Sequence, residues 1–102
     1  MLSRYKFELS DLANEMLDKI PAKFWHSTTA KILDPDMGGG QFLVAVVKRL
    51  RTAGHSDTNI NKRVFGIGDA QWSVNYVRNK HKLLGNLSVG NFLEDSSNKK
   101  YD

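Results

Sequence analysis

The chain contains no cysteine, which excludes disulfides, thiolate metal ligands and a thiol nucleophile. Proline occurs only at Pro21 and Pro35, never as an adjacent pair. No apolar run approaches the roughly 20 residues needed to span a bilayer, and Met1 to Ser10 holds no apolar signal core. The three histidines, His26, His55 and His81, share no ligand spacing, so no metal site is expected. Ser27, Thr28 and Thr29 stand near no candidate base, which leaves a hydrolase triad without support. Internal repeats are absent. A cytoplasmic protein with no membrane association is the expectation.

What remains suits one small domain, or part of a larger one: 102 residues, 40% hydrophobic, with a formal net charge of +4. The basic residues fall in clusters. Lys48, Arg49 and Arg51 share one predicted helix, Lys62 and Arg63 a loop, and Arg78, Lys80 and Lys82 another helix. This balance is compatible with a polyanionic partner, but the pattern favours solvated outer faces of helices packed on a sheet. Charge does not decide the function.

The first predicted element is a helix from about Ser10 to Ile20. Leu9, Leu12, Ala13, Met16, Leu17 and Ile20 recur at the spacing of one buried helical face. Ser10 suits its N-cap, and Pro21 ends it. An aromatic pair, Phe24 and Trp25, and a polar linker, Ser27–Thr29, come next. From there the pattern becomes strand, turn, helix. Lys31 to Asp34 reads as a strand, and Gln41 to Ala53 as a helix with Phe42, Leu43, Val46, Val47 and Leu50 inward. Gly54 to Asn61 reads as a loop and Arg63 to Ile67 as a strand buried on both faces. A helix is expected over Asp69 to Leu84, with Trp72, Tyr76, Val77 and Leu84 inward, then a third strand from Leu87 to about Asn91. The alternation predicts an α/β fold with three parallel strands and helices on both faces.

The chemistry concentrates in Asp34-Pro35-Asp36-Met37-Gly38-Gly39-Gly40-Gln41-Phe42-Leu43. A glycine-rich turn between strand and helix lets a ligand approach bare backbone, and it aims free N–H groups at an anionic group. Ligands of open parallel sheets sit at the carboxyl ends of the strands, where Asp34, Asp69 and Asn91 all fall. That constellation suits a nucleoside-containing ligand. The dinucleotide fingerprint fails because Leu43 occupies its third glycine position, and the phosphate-loop ending Gly-Lys-Ser/Thr is missing.

The run Asp34-Pro35-x-x-Gly38-x-Gly40-x-Phe42-Leu43 resembles the S-adenosylmethionine motif of adenine-N6 DNA methyltransferases of restriction-modification systems. The next strand of that family typically ends Val-Phe-Gly-Ile followed by an acid for the ribose. Val64-Phe65-Gly66-Ile67 is present here, but Gly68 stands in the acid's place and Asp69 follows one residue later. Asn91 and Phe92 are similar to the third-strand pair that holds the adenine. Family members often begin Phe-Thr-Pro ahead of a helix ending Met-Leu. Phe7 and Met16-Leu17 match, whereas Glu8 and Leu9 replace Thr-Pro, so no cofactor contact is carried over there.

The resemblance spans about Phe7 to Glu94 and implies a partial Rossmann-like methyltransferase fold. Its expected organisation is an N-terminal helical segment over 1–27, a cofactor-binding βαβαβ domain over 28–93 and a polar tail over 94–102. S-adenosylmethionine is the implied cofactor. Asp34, Pro35, Gly38, Gly40 and Phe42 would form the methionine end of its site, Asp69 would meet the ribose, and Asn91 with Phe92 the adenine. The family's catalytic Pro-Pro-aromatic motif cannot be present without adjacent prolines. Tyr101-Asp102 resembles the lead-in to the missing fourth strand, so no catalytic residue is expected and the chain alone should not methylate DNA. DNA would be a partner only of the full-length enzyme. A first strand left as an edge predicts self-association or pairing with another chain. The alternative function is a non-catalytic methyltransferase-like protein that binds a partner protein, with a methyltransferase acting on RNA or protein a weaker possibility.

Overall fold

A computed structural model of the protein describes residues 11–90. Eight elements follow in order: α1 over 11–18, α2 (Ala22–His26), β1 (Ile32–Asp34), α3 (Gln41–Thr52), α4 (Asp57–Asn61), β2 (Val64–Gly68), α5 (Gln71–His81) and β3 (Asn86–Val89). The strands form one parallel sheet of order β1-β2-β3, with Ile32 opposite Val64 and Phe65 opposite Asn86. This is a small α/β domain, a three-stranded parallel sheet flanked by helices.

The helices do not divide between the two faces as expected. A Cβ at Gly66 would meet Leu43 of α3 at 2.7 Å, and one at Gly68 would meet Ser73 of α5 at 2.7 Å. Residues two apart in a strand share a face, so α3 and α5 cover the same side. The strand order explains it. Right-handed crossovers that step twice in one direction lay both helices on one face.

The core lies between that face and the helices. Leu43, Val46, Val47 and Leu50 of α3 meet Val64, Leu87, Val74 and Val77 in one buried cluster. Leu17 joins it from α1, and Ala13 is also buried. Leu12 and Met16, expected inside, are 55% and 52% exposed. Arg49 ties α1 to α3, donating to the Asp18 carboxylate at 2.6 Å and to Asn14 O.

Several boundaries differ from the sequence reading. Pro21 caps the start of α2, a single turn that contains the Phe24-Trp25 pair. The expected loop after Gly54 contains α4, whose N-cap Ser56 accepts a hydrogen bond from Asn59 N at 3.1 Å. The helix expected over Asp69–Leu84 is confined to α5, and its buried residues are Ser73, Val74 and Val77. Trp72 and Tyr76, expected inward, are 57% and 43% exposed. Leu9, Ser10 and the 94–102 tail lie outside the described residues.

Arg63, read both as loop charge beside Lys62 and as the first residue of the second strand, is only 2% exposed. Its guanidinium donates to Ala30 O at 2.7 Å, Asn59 Oδ1 at 3.0 Å and Phe24 O at 3.5 Å, and it lies over the Phe24 ring. Burial lowers its pKa from the ordinary value. One side chain thus ties α2, the 27–31 linker and α4 to the start of β2. Truncating it leaves several acceptors with no donor, so Arg63→Ala should cost about 3 kcal/mol, read as a lower urea midpoint at unchanged slope.

Candidate functional site

The turn between β1 and α3 is built against β2 and α5. Because Gly66 and Gly68 have no side chains, Met37 packs directly over the β2 backbone and is buried. Met37 N donates to Ile67 O at 3.0 Å, and Gly40 N donates to Met37 O at 2.7 Å. From α5, the Ser73 hydroxyl donates to Gly38 O and His81 Nε2 donates to Gly39 O at 3.1 Å. A carbonyl accepts, so His81 carries hydrogen on Nε2 in this contact. Two of the turn's carbonyls are held by a helix that lies far along the chain.

The glycines have different tasks. Gly40, at φ 84°, caps α3, and a Cβ there would meet Val77 at 2.8 Å. Gly38, at φ 51°, has nothing within 4 Å of where a Cβ would sit. Packing therefore requires Gly40 to be bare, whereas at Gly38 only the backbone angle and the open space beside it favour glycine. No side chain caps the α3 N-terminus and no acidic residue occupies its first turn, so its positive end suits an anionic group.

Beside the turn lies a cavity of about 380 Å³, within the size range of small-molecule sites. Asp34, Pro35 and Phe42 line it together with Leu33, and α1 contributes Leu12 and Met16. The structure thus brings three of the expected residues to one cavity, with Gly38 and Gly40 in the turn that joins them. The α1 contribution was missed because Leu12 and Met16 fit the buried stripe of an amphipathic helix. Their exposure follows from the cavity beside them.

The Asp34 carboxyl is half-buried, and that burial raises its pKa above the ordinary 3.8. The Asp36 N–H, donating to Oδ1 at 3.1 Å, works the other way, and the Asp36 charge adds to the rise. The fold therefore holds a carboxylate in surroundings that penalise its charge, an arrangement common where a ligand supplies the missing donor.

Gly68 has a physical explanation. Its Cβ position is filled by Ser73 and bounded by Met37 Cε at 3.3 Å, so an acid there would displace the residue that anchors Gly38 O. Asp69, the acidic residue that follows, is exposed just beyond the strand. Asp69 does not line the Asp34 cavity. Asn91 and Phe92 lie outside the described residues, which end at Gly90, whose N–H donates to Gly68 O at 2.9 Å.

Among the described residues no cluster of His, Asp and Glu suits a metal ion, and no helix is long and apolar enough to cross a membrane. No family model, curated protein or solved structure matches the chain.

Two expectations follow from this geometry. Gly40→Ala should cost about 3 kcal/mol, from the left-handed backbone and the clash with Val77 together. Gly38→Ala should cost only about 1 kcal/mol, the backbone contribution alone, and urea titration separates the two. Asp34 gives a pH signature. The folded state holds its proton more tightly than the unfolded chain, so its contribution to stability is complete below 3.8 and lost as pH rises through the folded-state value. Asp34→Asn should therefore melt at or above the wild type at neutral pH, with the gap closing as pH falls towards 3.8.

Proposed function

We propose that the chain is a fragment or truncated form of an S-adenosylmethionine-dependent DNA adenine-N6 methyltransferase, carrying much of the cofactor site without the catalytic motif. The observation that carries this reading is Gly38: a left-handed residue with open space at its Cβ position, in a turn where packing against Val77 keeps Gly40 bare and Ser73 holds the Gly38 carbonyl. Its neighbour Asp34 offers a half-buried acceptor at the end of β1, suited to an amine or hydroxyl. The uncapped α3 N-terminus suits a carboxylate, so the turn presents complementary groups for the two charges of an amino-acid moiety. Pro35 and Phe42 add apolar wall.

Asp69, exposed at the end of β2, is the group assigned to the ribose, and Asn91 with Phe92 to the adenine. When bound, the cofactor would supply an activated methyl group. The chain's own residues bind and orient it. They include no adjacent prolines, so no Pro-Pro-aromatic motif holds an acceptor base, and methylation of DNA is assigned to the full-length enzyme context.

The exposed edge supports the second reading, a non-catalytic protein that binds a partner. Among the described residues β1 pairs on one side only, with β2, and Leu12 and Met16 are exposed nearby. An edge strand beside apolar surface is a template for another chain.

Calorimetric titration of the folded protein with S-adenosylmethionine distinguishes the two. The first reading expects saturable heat, lost in Gly38→Val and at least tenfold weaker in Asp34→Asn, since a buried hydrogen bond to a charged group contributes about 1.5–3 kcal/mol. No heat from protein shown to be folded would leave the partner-binding reading.

A further inference from the structure

We propose that the exposed side of α5, together with the C-terminal half of α3, forms a binding face for single-stranded nucleic acid. This goes beyond the cofactor reading and does not rest on it. None of the residues involved lines the cavity at Asp34.

Two independent features meet here. The first is aromatic. Trp72 and Tyr76, four residues apart on α5, are 57% and 43% exposed, while the buried stripe of the helix is Ser73, Val74 and Val77. The spacing places both rings on one side of the helix. Neither is required by the core.

The second is cationic. Tyr76 meets the His81 ring edge-on at 5.7 Å between centroids. His81 in turn lines a groove of about 220 Å³ with Lys48, Arg51 and Lys82. The aromatic side therefore continues directly into a basic groove built from two helices. Residues 41–90 carry eight Lys and Arg against two Asp, but those charges are not equivalent. Arg49 is turned to Asp18, Arg63 is buried, Arg78 donates to Leu87 O, and Arg51 is bridged to Asp57 at 3.0 Å. Lys48, Lys62, Lys80 and Lys82 are exposed and carry no ion pair among those found between described residues; of these, Lys48 and Lys82 line the groove, so they are the main phosphate contacts.

The combination selects the partner. Exposed aromatic faces beside a positive groove match bases that stack and a backbone that is neutralised. Paired bases in a duplex have their faces covered, and a run of acidic side chains offers charge but no flat rings for Trp72 and Tyr76 to stack upon.

The test is fluorescence anisotropy of a labelled, mixed-sequence single-stranded DNA of about 16 nucleotides, titrated with the whole protein over a salt series. Binding is expected at about 50 mM salt and should weaken as salt rises. The double variant Lys48→Gln, Lys82→Gln should bind about tenfold more weakly, with the log–log salt slope shallower by about 1.4, or 0.7 for each lost contact. Trp72→Ala should weaken binding about tenfold with the slope unchanged. All three positions are exposed, and circular dichroism verifies that each variant is folded. No binding by the folded wild type at low salt would overturn the proposal. So would variants that bind like wild type, a duplex preferred over the single strand, or poly-glutamate competing as well as the oligonucleotide.

Discussion

The site depends on the close approach of side chains to the bare backbone of β2. Gly66 and Gly68 present no Cβ on the side facing the helices, and Met37, Leu43 and Ser73 occupy the space. This approach lets the β1–α3 turn fold down onto the sheet, with Met37 N bonded to Ile67 O. It also lets α5 come near enough for Ser73 to hold Gly38 O. A side chain at either glycine would lift the turn or the helix and release the carbonyls that shape it. Glycine at position 68 is thus a packing requirement of this chain.

The same constraint explains which face of α5 is buried. Of the α5 side chains, Val77 fills the space at Gly40 and Ser73 the space at Gly68. Trp72 and Tyr76 are too large for that seam and are directed outward, although their i, i+4 spacing imitates a core stripe. Periodicity counts apolar residues but does not register how close the opposing backbone comes. The sequence therefore indicated the helix and its inward Val77 and Leu84, but took Trp72 and Tyr76 for core.

Other features were legible to different degrees. The strand–turn–helix alternation, the glycine turn and the three parallel strands follow from local patterns, and the structure reproduces them. The two five-residue helices were not visible to a periodic template. Ser56 ahead of Asp57 is a capping signal that could have revealed α4, and Pro21 begins a helix as readily as it ends one. Placement of both crossover helices on one face is a consequence of strand order, which no local pattern encodes. Arg63 shows a related limit: an arginine beside Lys62 reads as surface charge, and only the convergence of Ala30, Asn59 and Phe24 oxygens makes it an internal tie.

The proposed function reduces to one physical claim: the open space beside the Gly38 backbone is where a small molecule would bind. The most direct measurement is a ¹⁵N–¹H correlation spectrum of the labelled protein recorded as S-adenosylmethionine is added. The account predicts saturable shifts confined to the amides of the β1–α3 turn, the first turn of α3, Asp69, Asn91 and Phe92, with the Arg63 region unmoved. An unchanged spectrum from the folded protein, or shifts scattered without reference to the turn, would contradict it.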